Sequence, residues 1–341
     1  MLRHGWHSFV SAGRNQHRCY SSIAKDIANF VAAEQHIPRK KNLIGLSFEE
    51  IQQELERNVT EAKKFTASQL WKHIYIQGHT SFNDMSTLSK PLRSQLKEQY
   101  QISYGEIKLD KIAKDATRKY LIGFNTKQEP GAVVETVLIP EARRGTLCVS
   151  SQIGCSLQCS FCHTGTQKLL RSLTAAEVVG QYMISAHGAG DFPLQPGKRR
   201  SVCNMVFMGQ GEPLYNWRHV SKAVKILTDP NGLNWPKSKI TISTSGVVPL
   251  IPKIATDLGV SLAISLHATN NDLRDKLVPL NKTFPLELVL DSCKQYAKAM
   301  GSSGKRITFE YVMLDRVNDS VAEARELVRL LKQLPAHVNL M

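Results

Sequence analysis

The sequence predicts an α/β protein in which a small helical domain and a short β element precede an array of parallel strands and helices. From residue 146 to the end, apolar strand-like runs alternate with helical patterns. Such alternation is typical of a parallel sheet covered by helices. Helical periodicity dominates residues 42–105, and a β linker element is predicted over 106–145. The six strands of the array suit a partial barrel or an open doubly wound sheet, and periodicity does not separate the two.

The helical domain, residues 42–105, opens with a clear helix start. Ser47 and Glu50 form a capping-box pattern, and apolar Ile51 and Leu55 follow at helical spacing. Further helices are predicted near 66–76 and 90–99. The Lys and Arg residues of this domain could contact an RNA backbone or form a solvated helix face, and both interpretations stay open.

The β linker element contains two predicted strands. The runs Tyr120–Phe124 and Val133–Ile139 are rich in β-branched and aromatic residues. Glu129–Gly131 predicts a turn between them, and Pro140 ends the second strand.

The array that follows contains six strands and five helices. The strands are predicted near 146–151, 202–208, 239–244, 259–266, 306–313 and 336–341. The helices are predicted near 174–188, 217–228, 249–257, 285–300 and 319–334. Thr174 with Glu177 supplies another capping box, at the start of the first of these helices.

Composition and charge narrow the class of protein. Of the 341 residues, 42% are apolar and 21% are charged, which excludes disordered, collagen-like and disulfide-scaffold chains. Apolar runs are too short for a membrane-spanning helix, which needs about 18 residues. The formal net charge is +15, and residues 1–41 hold only seven basic against two acidic residues, so the remainder is basic as well. This excess indicates a polyanionic partner, most simply nucleic acid.

The N-terminus predicts an organellar address. Residues 1–25 contain arginine and serine but no acidic residue, which is typical of a transit peptide. We expect a mitochondrial location, with cytoplasm or plastid as alternatives. A disordered tail without an address is the plainer interpretation of the same composition.

The cysteines predict a metal centre. Of seven cysteines, four fall between Cys148 and Cys162, and Cys155, Cys159 and Cys162 form a C-x3-C-x2-C motif. Three clustered thiolates suit an iron–sulfur cluster that leaves one iron open to a substrate or cofactor. A structural zinc with His163 as fourth ligand, or inert buried cysteines, are the alternatives.

Further motifs carry a family resemblance. They are Thr146–Cys155 (TLCVSSQIGC), Met208–Leu214 (MGQGEPL), Ser243–Pro249 (STSGVVP) and Ser265–Ala268 (SLHA). Together with the cysteine motif, they resemble the RlmN/Cfr family of radical S-adenosylmethionine RNA (adenine-C2) methyltransferases. The resemblance covers about residues 43–341. It implies a partial (β/α)6 barrel, an RNA-binding helical domain, and formation of 2-methyladenosine in large-subunit rRNA and also in tRNA.

The resemblance also implies roles for individual residues. Cys155, Cys159 and Cys162 would hold a [4Fe–4S] cluster whose open iron chelates S-adenosylmethionine, and one electron would then release a deoxyadenosyl radical. The implied cofactor contacts are Gly211, Glu212, Ser243, Ser265 and His267. Without the resemblance, Glu212 could simply cap the next helix, and His267 could be a satisfied core histidine.

Two more residues match the family's chemistry. Glu135 lies in an apolar run and matches the proposed proton acceptor for the adenine ring carbon, although a solvent-facing strand position explains it equally. Cys148 matches the cysteine that resolves a protein–RNA crosslink through a disulfide. Cys203 and Cys293 match nothing, so we expect core packing for both.

The sequence departs from the family at its end, Met341. The family continues with a cofactor-contacting Asn and a methyl-carrying Cys, so we expect that this chain alone does not complete methyl transfer. The alternative to an RNA methyltransferase is a truncated, non-catalytic cluster- and RNA-binding isoform, and another radical reaction on RNA is a third hypothesis. We further expect a ferredoxin- or flavodoxin-like electron donor and a monomer.

Overall fold

The computed structural model describes residues 40–124, 132–142, 144–301 and 306–341. Residues 42–341 form one compact unit. The expected transit peptide (1–25) and the predicted turn at Glu129–Gly131 lie outside the described residues. Within the described residues, no helix is both long and apolar enough to cross a membrane.

The three predicted N-terminal helices are present, with a short two-stranded sheet beside them. They are α1 (Phe48–Asn58), α2 (Thr66–Tyr75) and α3 (Lys90–Gln99), and the short strands are β1 (Lys41–Asn42) and β2 (Tyr100–Gln101). The capping box at the start of α1 is formed, because Glu50 N donates to Ser47 Oγ at 3.3 Å and Ser47 N donates to Glu50 Oε2 at 2.8 Å. Ile51 and Leu55 lie in the core, as their spacing predicts.

A nine-stranded sheet forms the rest of the framework, in the order β13-β12-β11-β10-β9-β6-β5-β4-β3. Its strands are β3 (Glu106–Ile112), β4 (Arg118–Gly123), β5 (Val133–Glu141), β6 (Arg144–Cys148), β9 (Asn204–Phe207), β10 (Ile240–Thr244), β11 (Ser261–Ser265), β12 (Ile307–Tyr311) and β13 (Ala336–Leu340). The strands from β6 to β13 run parallel, and β5, β4 and β3 continue the sheet antiparallel.

This strand order decides between the two predicted architectures. A doubly wound sheet reverses its strand order at a switch point. Here each new parallel strand is added on the same side as the one before, from β6 to β13, and the sheet ends in two separate edges. The fold is therefore a partial, open barrel of six parallel strands.

Helices connect the parallel strands and cover them. They are α4 (Ala175–Gly188), α5 (Trp217–Thr228), α6 (Ile251–Lys253, continuing as a π-turn over Ile254–Leu258), α7 (Asn271–Leu277), α8 (Leu286–Met300) and α9 (Val321–Leu331). The sequence patterns predicted neither α7 nor β3. The seven residues of α7 are too few to show periodicity, and β3 is exposed along its whole length, so neither face of that strand is marked by burial.

Candidate active site

The cysteine motif lies in a loop held by a small hairpin. Strands β7 (Gln152–Ile153) and β8 (Arg171–Ser172) pair antiparallel at its two ends. Within the loop, Leu157 N approaches the Cys155 sulfur at 3.5 Å. Gly165 packs so closely that a Cβ there would lie 2.7 Å from the Cys159 carbonyl oxygen. The loop is thus folded tightly around its cysteines, with no room for a side chain at Gly165.

A cavity of about 310 Å³ opens beside this loop, where the parallel strands β9 to β13 end. The carboxyl ends of barrel strands are where this class of fold places its chemistry. Eight of the ten predicted site residues line the cavity: Cys155, Cys159, Cys162, Gly211, Glu212, Ser243, Ser265 and His267. Four chain segments that are distant in sequence therefore meet at one place.

The three thiols fit an iron–sulfur cluster. Burial raises the pKa of Cys159 to about 12, and the neighbouring Cys155 and Cys162 raise it further. Thiols forced together in this way are stabilised once metal holds them as thiolates. Among the described residues, no group of three or more His, Cys, Asp or Glu side chains is close enough to hold a single metal ion. A cluster of several irons spans a wider set of thiolates, and the cavity has room for it.

Glu212 is a buried carboxylate in the cavity wall. It is 2% exposed, and it accepts N–H groups from Leu214 at 3.0 Å and Ser245 at 2.8 Å. Burial raises its pKa to about 7 in spite of these bonds. Glu212 does cap a short helical turn through Leu214, but its second oxygen is directed to Ser245, and the side chain lines the cavity.

Gly211, immediately before this carboxylate, requires glycine. Its φ is +92°, and a Cβ would lie 2.4 Å from Gln152 Cβ. The backbone at this position therefore approaches the start of the cysteine hairpin as closely as it can.

His267 lies just beyond the end of β11, as predicted. Its Nδ1 accepts the Val312 N–H at 3.1 Å, and the Phe161 ring packs edge-on against it with centroids 4.5 Å apart. Burial lowers the pKa of His267 to about 4, and the nearby charge of Arg274 contributes. The imidazole is therefore neutral at physiological pH and keeps its proton on Nε2. Ser243, at the end of β10, is almost fully buried in the same wall.

Glu135 and Cys148 are not in the cavity wall but lie next to it. Glu135 is half-exposed on β5 and forms an ion pair with Lys119. Burial raises the pKa of Cys148 to about 11, and the charge of Glu135 raises it further. The sulfur of Cys148 accepts a backbone hydrogen bond from Met208, which acts in the opposite direction. Met208 itself lines the cavity, so Cys148 lies one residue behind the cavity wall.

Sequence reasoning missed four residues of the site. They are Ser245, Arg274, Glu310 and Asn339. Asn339 Nδ2 donates to Glu310 Oε2 at 2.7 Å, and both residues line the cavity. A carboxylate inside the apolar strand Ile307–Tyr311 was a usable signal, of the kind that marked Glu135.

Cys293 is fully buried in the core, as expected, and Cys203 is partly buried.

Two protein-family models match the chain. The model of the radical SAM superfamily matches residues 149–330. The model of the ribosomal RNA large subunit methyltransferase N-terminal domain matches residues 41–102. Radical SAM enzymes use a [4Fe–4S] cluster and S-adenosylmethionine, in agreement with the three thiols and the cavity.

Whole-chain relatives support the same family. The dual-specificity RNA methyltransferase RlmN of Dinoroseobacter shibae is 47% identical over 330 residues, which cover 94% of this chain and 81% of the relative. RlmN of Rhizobium meliloti is 47% identical over 315 residues, covering 89% and 76%. These relatives are bacterial and give no support to the expected mitochondrial address.

A solved structure has the same fold. The crystal structure of a radical SAM methyltransferase from Sphaerobacter thermophilus aligns with a TM-score of 0.79 and 38% identity, covering 88% of this chain and 84% of that one. The cysteine loop, the cavity and the two matching domains agree with this likeness. The chain therefore belongs to the RlmN family of radical S-adenosylmethionine RNA methyltransferases.

Proposed function

We propose that this protein methylates C2 of adenine in large-subunit rRNA and also in tRNA. The observation that carries the proposal is the convergence of three thiols with Glu212 and His267 on one cavity. The N-terminal family model bears the name of a large-subunit rRNA methyltransferase, and the relatives are named dual-specificity RNA methyltransferases. C2 is preferred to C8 because the whole chain resembles the RlmN type.

The residues of the cavity bind and orient the cofactors. Cys155, Cys159 and Cys162 would hold the cluster, which with S-adenosylmethionine supplies a one-electron cleavage that yields a deoxyadenosyl radical. Glu212 accepts hydrogen bonds from the cofactor's ammonium group, and a charge-assisted bond of this kind is strong. Neutral His267 offers its Nε2 proton as a donor without adding a charge beside the cluster.

Glu135 and Cys148 act on the RNA. Glu135 accepts the proton that leaves the adenine ring carbon after methylene addition, and the interaction of its charge with Cys148, which accepts a hydrogen bond from the cavity-lining Met208, supports that role. Lys119, on the neighbouring strand β4, forms an ion pair with Glu135. Cys148 would resolve a protein–RNA crosslink: its sulfur would bond to the sulfur of the family's methyl-carrying cysteine, and the bond from that sulfur to the RNA-bound methylene would break.

RNA binding is favoured by the charge of the whole chain. The net charge of +15 supplies a sequence-independent attraction to phosphate, so we expect affinity for RNA to fall steeply as salt rises. We propose that residues 42–105 contribute to this binding.

We also propose a ferredoxin- or flavodoxin-like electron donor and a monomeric state. Sedimentation of the purified protein would test the monomeric state.

A mitochondrial address stays a prediction from residues 1–25. Fusing residues 1–30 to a fluorescent reporter tests it. Mitochondrial fluorescence would support the address, and a purely cytosolic signal would contradict it.

Single-turnover methylation tests the proposed function. The cluster is reconstituted without oxygen, and reductant, labelled S-adenosylmethionine and unmodified rRNA or tRNA are added. After digestion of the RNA, 2-methyladenosine would support the proposed function and would contradict the expectation that this chain alone does not complete methyl transfer. Deoxyadenosine without methyladenosine would instead favour a protein that activates the cofactor but does not transfer methyl. Finding only 8-methyladenosine would contradict the choice of C2.

A further inference from the structure

Arg274, on the short helix α7, is a fully buried cation behind the cavity. Its relative exposure is 0%. Buried arginines are normally paired with a carboxylate, because an unpaired buried charge is costly. Among the described residues, every hydrogen-bond acceptor of Arg274 is a neutral oxygen. The molecule therefore keeps a positive charge in its interior without a carboxylate bound to it.

The guanidinium joins the ends of two strands that carry the site. Nη2 donates to the carbonyl oxygens of Ser245 at 2.7 Å and Ser265 at 3.0 Å. Nε donates to the carbonyl of Leu266 at 3.1 Å, and Nη1 donates to Asn281 Oδ1 at 2.9 Å. Arg274 thus fixes the backbone on either side of Ser265 and just beyond Ser243.

Ser245 connects this arginine to the cysteine loop. While its carbonyl accepts from Arg274, its N–H donates to Glu212 Oε2 at 2.8 Å. Its side chain interacts with the thiol of Cys159 and lowers the pKa of that thiol. A second link runs from the loop to α7 itself, because Ser160 N donates to the Leu277 carbonyl at 3.1 Å.

The positive charge of Arg274 acts electrostatically on the cysteine loop. An arginine side chain stays protonated in proteins, and Ser245, whose carbonyl accepts from Arg274, lines the cavity together with Cys159. In a buried, weakly polar environment such an interaction is much stronger than in water. A negative group bound by Cys159 would therefore experience a positive potential from this side.

We propose that Arg274, acting with Ser245, is a positioning residue that raises the reduction potential of the cluster held by Cys155, Cys159 and Cys162. One electron passes from an external low-potential reductant to the cluster, and no bond or proton changes place. The cluster gains one negative charge, which the buried guanidinium stabilises. The inference rests on the cluster that the proposed function requires.

The midpoint potential of the reconstituted cluster tests this inference. It is measured by a redox titration followed by electron paramagnetic resonance, without RNA. Arg274→Gln should lower the equilibrium constant for one-electron reduction at least tenfold, which corresponds to 59 mV. Arg274→Lys retains the charge and should stay closer to the wild type. The matched control is Lys276→Gln, which removes a charge from an exposed position on the same helix.

Two outcomes would overturn the inference. One is an unchanged potential in Arg274→Gln that carries the normal iron and sulfide content. The other is an equal fall in Lys276→Gln. If Arg274→Gln does not fold, Asp275→Asn decides, because it removes the negative charge that acts on Arg274. A severalfold rise in the same equilibrium constant supports the inference, and no rise overturns it. Failure of the wild-type protein to bind any cluster would instead contradict the proposed function.

Discussion

The Val312 N–H donates to Nδ1 of His267 at 3.1 Å, so the imidazole in the cavity wall is held in its neutral form with the proton on Nε2. The donor is a backbone amide, which cannot reverse its role and accept a proton. Protonation of His267 would place two donors face to face in a buried site. Burial, with the nearby charge of Arg274, lowers the pKa of His267 to about 4, and the hydrogen bond from Val312 acts in the same direction.

The first prediction is that His267 makes the fold sensitive to acid. The pKa is lower in the folded protein (about 4) than in the unfolded chain (6.5), so the unfolded chain binds a proton first as pH falls. Neutral His267 therefore contributes about 3 kcal/mol to the free energy of unfolding above pH 6.5. This contribution is lost as the pH falls from 6.5 to 4. Denaturant unfolding of wild type and His267→Gln across this range measures the difference. His163→Gln, at an exposed position, should leave the acid dependence unchanged, and an identical dependence in His267→Gln would refute the prediction.

The second prediction concerns cofactor binding by Glu212. Glu212→Gln should weaken binding of S-adenosylmethionine roughly 10- to 100-fold, because a hydrogen bond to a charged group contributes about 1.5–3 kcal/mol. Since burial raises the pKa of Glu212 to about 7, wild-type affinity should increase between pH 6 and 8 as the carboxylate forms. Calorimetric titration of the cluster-loaded protein tests both effects. Glu98→Gln, on the exposed side of α3, is the control, and equal affinity in both variants would count against the assigned contact.

The third prediction uses two glycines with similar backbone angles. Gly211 and Gly197 have φ of +92° and +76°, but a Cβ on Gly211 would clash with Gln152 whereas one on Gly197 meets nothing within 4 Å. Gly197→Ala should therefore lower the free energy of unfolding by only about 1–2 kcal/mol, which is the penalty for a side chain on a left-handed backbone. Gly211→Ala should lower the free energy of unfolding by more than this and should also displace the cysteine hairpin. Thermal unfolding and iron content are the measurements, and equal losses in the two variants would show that the clash is relieved without consequence.

The fourth prediction concerns Gln181, a fully buried amide on α4. Its Oε1 accepts from Ser150 N and from Thr136 Oγ1, both at 2.8 Å, and its Nε2 donates to the Ser150 carbonyl at 3.0 Å. Gln181→Leu leaves both backbone groups of Ser150 without this partner and should destabilise the fold by roughly 2–4 kcal/mol. Urea unfolding measures the loss. Gln195→Leu, at an exposed loop position, should change stability by no more than about 0.5 kcal/mol.

The fifth prediction tests the base. Glu135→Gln should reduce 2-methyladenosine formation by at least about 100-fold, since positioned acid–base groups contribute about 10²–10⁴-fold. Cluster content and cofactor binding should remain normal, because Glu135 lies outside the cavity wall. Glu141→Gln, farther along the same strand, is the control. Full turnover by Glu135→Gln would exclude it as the proton acceptor.

Local patterns in the sequence predicted the elements well. The six parallel strands and the five predicted helices of the array occur close to their predicted positions, because periodicity and capping act within a few residues of the chain. The capping box of Thr174 and Glu177 is one example, with Glu177 N donating to Thr174 Oγ1 at 3.3 Å. The cysteine motif was equally visible, since three ligands within a stretch of eight residues can be recognised without tertiary information.

The sequence by itself determined the alternation of strands and helices, the cysteine motif and the family. Only the tertiary structure decided the strand order, which makes the sheet an open barrel. Only the tertiary structure also revealed that Arg274 contacts Ser245 and that Asn339 contacts Glu310, residues 29 positions apart in both cases. The reason is physical: parallel strands bring distant segments together at their carboxyl ends, and no local pattern records which side chains meet there.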